Sequence, residues 1–180
     1  MVIYADNAAT TQLDTDAFEA MKPFLLENYA NPSGAYSYSK KAKQAIKAAR
    51  KTIAECINAE PEQIYFTSGG TESDNWAIKG FALSDYDYKA VITSQIEHHA
   101  ILNSCYDIER LKHPVAYLPV DCKGVVATDT LNRYISDRTG LVSVMTTNNE
   151  IGTIEPIKEL AQIAHSHGAL FHTDAVQAVG

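Results

Sequence analysis

The chain has 180 residues, 46% of them hydrophobic and 21% charged, and a formal net charge of −7. That length supports one ordinary domain with a real core, and the acidic balance argues against a nucleic-acid or anionic-membrane surface. No apolar run reaches the roughly 20 residues of a membrane span, and Met1-Val2-Ile3-Tyr4-Ala5-Asp6 lacks the charged-then-apolar order of a secretory leader.

An N-terminal arm over 1–14 precedes a helix that Asp14 or Thr15 can cap, running to about Asn28 with Pro23 as a kink. Asn31-Pro32-Ser33-Gly34 is loop chemistry. Next comes a basic stretch, Lys40, Lys41, Lys43, Lys47, Arg50 and Lys51. It is interleaved at helical spacing with Ala42, Ala45, Ile46, Ala49, Ile53 and Ile57. This pattern reads as an amphipathic helix with a solvated basic face, closing near Asn58; a docking surface for an acidic partner is the other reading. From here strands and helices alternate. Strands are expected at 64–67, 90–93, 115–118, 141–145 and 169–172. Helices are expected through Ala77, Ile78 and Phe81, from His99, around Thr130 to Tyr134, and from Ile157 to His167 with Gly168 closing the last. The alternation implies an α/β fold, a mostly parallel sheet flanked by helices. Ligands of such sheets bind beyond the carboxyl ends of the strands.

The residues following the strands therefore carry the chemistry. Ser68-Gly69-Gly70-Thr71-Glu72-Ser73 combines close backbone approach with a helix N-terminus and hydroxyl donors, which suits a phosphate; a plain capped turn explains it as well. Glu97-His98-His99 offers an imidazole for stacking or proton transfer, although adjacent histidines at a helix start are not expected to face one site. Asn148-Asn149-Glu150 offers amides that orient a ligand. Asp174, emerging from an apolar strand, asks for a cation or several donors; a pyridinium nitrogen is one such cation.

Tyr4 through Thr11, Asn31-Pro32-Ser33, Phe66 through Gly80, Glu97-His98, Asn148 through Gly152 and His172 through Gly180 together resemble the cysteine desulfurases. The similarity is to the branch holding the nitrogen-fixation and housekeeping iron–sulfur enzymes, in the class V aminotransferase group. The resemblance implies a fold type I, aminotransferase-like large domain of which 15–180 is the N-terminal part, incomplete at its C-terminus. It implies pyridoxal 5'-phosphate as cofactor, with Gly70 and Thr71 on the phosphate and His98 over the ring, assisting catalysis. Asn149 would lie near the ring hydroxyl and the substrate, Asp174 on the pyridine nitrogen, and Gln177 on the phenolic oxygen. The implied reaction removes sulfur from L-cysteine as an enzyme persulfide, leaving L-alanine, in sulfur transfer for iron–sulfur cluster or thio-cofactor assembly. A cytoplasmic homodimer and an iron–sulfur scaffold protein as partner go with it.

Two departures stand out. Many members carry His five residues after the Asn of Asn31-Pro32-Ser33, where this chain has Tyr36. The family's Schiff-base lysine and persulfide cysteine are also missing. Lys79, Lys89, Lys123 and Lys158 fall away from the carboxyl edge of the sheet, and Cys56, Cys105 and Cys122 have no motif around them. These cysteines form no Cys-x-x-Cys, which points to packing residues in a reducing compartment. The chain alone is thus expected to be inactive and to need a C-terminal companion segment. A non-catalytic cofactor-binding or scaffold relative shares these features. A metal-dependent hydrolase using His165, His167, His172 and Asp174 is a remote alternative, and no metal is expected.

Overall fold

Short β-branched runs alternating with amphipathic stretches become strands and helices in the computed structural model, which describes residues 2–84 and 87–179. Met1 and Gly180, the ends of stretches quoted above, lie outside the described residues. The chain divides into two compact units, Met1–Phe66 and Thr67–Gly180.

In the first unit, residues 2–14 hold no helix or strand. Helix α1, Thr15–Leu26, starts where the Asp14 carboxylate accepts the amides of Asp16 and Ala17. Pro23 lies inside it. Helix α2, Lys40–Cys56, is the expected basic helix, with Lys40, Lys41, Lys43, Lys47 and Lys51 all exposed. Its apolar side is only partly covered: Ala42 and Ala54 are buried, while Ile46 and Ile53 each remain 39% exposed. The strand expected at 64–67 is not found. Ile64 is buried, but Tyr65 and Phe66 are exposed, and no strand of the sheet pairs with the segment. Side chains take the place of a strand partner: Arg50 donates to the Ile64 carbonyl and its guanidinium stands 5.1 Å over the Phe66 ring.

The second unit runs α3 (Gly70–Ser84), β1 (Ala90–Ser94), α4 (His99–Arg110), β2 (Val115–Leu118), α5 (Thr128–Tyr134), β3 (Thr139–Ser143), α6 (Ile157–Ser166) and β4 (Leu170–His172). The four strands are parallel in the order β2-β1-β3-β4. The register pairs Val91 with Leu141 and Ile92 with Val142. Side chains alternate across the sheet, so these pairs feed opposite cores. Val91 and Leu141 join Ile78, Ala82, Ile101 and Ile108 of α3 and α4. Ile92 and Val142 join Leu131, Leu160 and Ala164 of α5 and α6. Burial on both faces is why these strands read as continuous apolar runs. Gly168, at φ +72, closes α6 in the left-handed conformation a side chain resists. No helix among the described residues is long and apolar enough to cross a membrane. Of the cysteines only Cys105 packs in the core; Cys56 and Cys122 are exposed, contrary to the expectation for all three.

Candidate active site

The C-terminal edge of the sheet gathers His98, Asn149 and Asp174 because β1, β3 and β4 release their chains there; Gly70 and Thr71 follow no strand and stand at the start of α3. Helix α3 points its first turn at this edge. Its inward stripe reads Gly70, Asp74, Ile78, Ala82 at four-residue spacing, and the last three are buried. A Cβ on Gly70 would stand 2.8 Å from Val176 Cγ2, so only glycine allows this approach to the segment after β4. The amides of Gly70 and Thr71 precede any intrahelical acceptor and offer an anion site. The cradle is narrower than the sequence implies: the Ser68 amide and hydroxyl both donate to Glu72, at 2.6 and 2.7 Å. Ser73 Oγ lies 2.8 Å from Thr67 Oγ1.

His98 is exposed and caps α4, its Nδ1 accepting the Ala100 amide at 3.1 Å. That bond commits Nδ1 as acceptor and leaves Nε2 to carry the ring proton. A cleft of about 340 Å³ is lined by His98, His99, Asn148, Asn149 and Glu150 among others. Both histidines line it, with ring planes at 90°, where only one was expected. Gly70, Thr71, Asp174 and Gln177 are not among its lining residues.

The paired amides divide their work. Asn148 is buried, donates to the Ile96 carbonyl at 2.7 Å, and accepts the amides of Glu150 and Ile151. Asn149 is left half-buried at the cleft. Glu97, 4% exposed, accepts the Ser94 hydroxyl at 2.6 Å and the Met145 amide on both oxygens. Together Glu97 and Asn148 brace the segment after β1 against the segment after β3. Burial pushes the Glu97 carboxyl up to about 7, its bonds to Ser94 and Met145 opposing and the charge of Asp174 adding.

Asp174 is half-buried, with its carboxylate on the Val176 amide at 2.9 Å and its carbonyl on the Thr146 amide. Gln177 is exposed in the turn that follows. Beneath Asp174 lies a polar row the sequence reading missed. His172 Nδ1 meets Ser143 Oγ at 2.9 Å, and its Nε2 stands 3.9 Å from Asp74 Oδ1. Burial, then the charge of Asp174, raises Asp74 to about 6; burial lowers His172, which Asp174 opposes. The available signal was Asp74 on the stripe of Ile78 and Ala82, a carboxylate where the pattern asks for an apolar residue.

Asp174 thus lies within electrostatic reach of both Asp74 and Glu97. Among the described residues, no Lys or Arg ion pair reaches any of the three. Such a cluster fits a ligand that brings a positive charge, and a pyridinium nitrogen at Asp174 with a phosphate at Gly70 and Thr71 meets that donor set. Lys79 is held by Asp107 at 2.7 Å. Tyr36 is exposed in the first unit. No group of three or more His, Cys, Asp or Glu arranged for a metal occurs among the described residues; His165 and His167 are exposed at the end of α6.

The profile described as aminotransferase class-V matches residues 3–180. A cysteine desulfurase IscS of Methanosarcina thermophila is 53% identical over 179 residues, covering 99% of this chain and 44% of the relative. A solved NifS-like protein is 37% identical with a TM-score of 0.96, covering 99% of this chain and 50% of that one. A structure described as SspA in complex with cysteine is 39% identical with a TM-score of 0.94, covering 97% and 51%. The chain therefore spans about half the length of the relatives it matches.

Proposed function

The chain belongs to the aminotransferase class-V family, a family of pyridoxal-phosphate enzymes, and from that premise we propose that it carries the cofactor-binding face of a cysteine desulfurase. Bound pyridoxal phosphate supplies the electron sink; the residues of this chain bind, orient and move protons. Gly70 and Thr71 hold the phosphate with their amides and the Thr71 hydroxyl. Asp174 pairs with the pyridine nitrogen, and Gln177 bonds the phenolic oxygen. His98 lies over the ring, with Nε2 as the atom that holds or moves a proton, since Nδ1 is committed to Ala100. Asn149 faces the ring hydroxyl and the amino-acid substrate. The substrate is L-cysteine, the amino acid bound in the SspA structure, and the products are L-alanine and sulfur held as an enzyme persulfide.

The carrying observation is the half-buried Asp174 beside two further carboxylates, across from the glycine-opened end of α3. The reaction also calls for a lysine amine to hold the resting cofactor and a thiolate to accept sulfur. Lys79 is engaged by Asp107, and the Cys105 thiol is buried and pushed up to about 12. We assign neither role within residues 1–180, and expect this stretch alone not to turn over cysteine. A second subunit, a companion segment and an iron–sulfur scaffold protein are the partners the reading brings.

The test is Asp174→Ala in the full-length protein, followed by sulfide and alanine release. Turnover is expected to fall by roughly a hundredfold or more, with the urea midpoint little changed. Normal turnover in that variant overturns the assignment.

A further inference from the structure

Two ends of the proposed cofactor site sit on different elements, and one largely buried line of side chains runs between those elements. The anion end is the first turn of α3, at Gly70 and Thr71. The cation end is Asp174, just past β4. Asp74 lies one turn into α3 on the same stripe as Gly70, and His172 lies two residues before Asp174. The register places Ser143 beside His172 on the neighbouring strand. Ser143 is fully buried, Asp74 is 4% exposed and the His172 side chain 20% exposed, so water has little access to these contacts.

We propose that the Ser143–His172–Asp74 line is a positioning device that fixes the distance between the anion end of the site at α3 and the cation end at Asp174; this rests on the pyridoxal-phosphate reading above. The geometry is specific to that task. Ser143 Oγ at 2.9 Å from Nδ1 fixes the imidazole plane, and the ring then presents Nε2 to Asp74 Oδ1 at 3.9 Å. The ring thus stands between β3, through its bond to Ser143, and α3, whose Asp74 it faces at ion-pair distance. At the site itself α3 comes close to the segment after β4, where a Cβ on Gly70 would stand 2.8 Å from Val176 Cγ2. A ligand whose phosphate and ring nitrogen are joined through a rigid ring tolerates little error in that separation, whereas a ligand that uses one end alone is indifferent to it.

The experiment uses the full-length protein freed of cofactor. Three probes that form no covalent bond are compared: pyridoxine 5'-phosphate, which engages both ends, inorganic phosphate, and pyridoxine. In His172→Phe and Asp74→Ala, affinity for pyridoxine 5'-phosphate is expected to fall roughly tenfold or more, as when groups that orient a ligand-binding residue are removed. Affinity for inorganic phosphate and for pyridoxine stays within about twofold of wild type, and Asp74→Asn, which preserves the shape, restores most of the two-ended binding. If His172→Phe does not fold, Ser143→Ala tests the same line with a smaller change. Equal losses for all three probes, or unchanged binding of pyridoxine 5'-phosphate, overturn the proposal. Failure of the wild-type protein to bind pyridoxine 5'-phosphate overturns instead the cofactor reading beneath it.

Discussion

Glu97→Gln is expected to leave stability unchanged near pH 4.5 and to raise it at pH 8. Glu97 is 4% exposed, and burial lifts its carboxyl from the ordinary 4.5 to about 7. At about 1.36 kcal/mol for each pH unit of that rise, the ionised side chain costs the fold about 3 kcal/mol. The sign follows from proton binding. Above pH 4.5 the unfolded chain releases this proton while the folded chain keeps it, so stability is lost as pH rises to about 7 and is flat beyond. Glutamine copies the protonated acid: with its NH₂ in the place of Oε1 it donates to Ser94 Oγ, and its oxygen in the place of Oε2 accepts the Met145 amide. Asp74 is also raised by burial but remains in the variant and cancels in the difference; Glu155, whose charge helps to raise Glu97, remains as well and is relieved of that repulsion at pH 8. Urea unfolding of cofactor-free protein at pH 4.5, 6 and 8 reads the effect directly. A Glu97→Gln protein less stable than wild type at pH 8 would show that the ionised brace is the favoured form and refute the reasoning.

Gly70→Ala places a methyl 2.8 Å from Val176 Cγ2, so binding of a phosphate-bearing cofactor is expected to weaken; the double change with Val176→Ala restores it, which a titration of both variants checks. Thiol labelling is expected to find Cys56 and Cys122 reactive in the native protein. Cys105, buried with its thiol pushed up to about 12, should react only once denaturant unfolds the core.

The run of alternating patterns was enough to read an α/β fold with a parallel sheet, because burial on two faces leaves its mark on each strand separately. Strand 64–67 misled for the same reason: an apolar run of the right length carries no information about whether a neighbour will take its backbone groups. The caps at Asp14 and Gly168 were legible since each acts within a turn of chain. That His98, Asn149, Asp174 and Gln177 follow strand ends was legible too, since a parallel sheet sends every strand end to one edge; Gly70 and Thr71 follow no strand and are carried by the start of α3.

The sequence by itself determined which residues follow β1, β3 and β4 at that edge. Only the tertiary structure decided how they are held. Glu97 reaches the Met145 amide across 48 residues of chain, Asn148 turns from a ligand candidate into a brace, and Asp74 and His172 meet from a helix and a strand far apart in sequence. Periodicity reports which way a side chain faces within its own element. It does not report which buried group from another element waits there, and in a low-dielectric interior that partner sets both the proton affinity and the position of the group it meets.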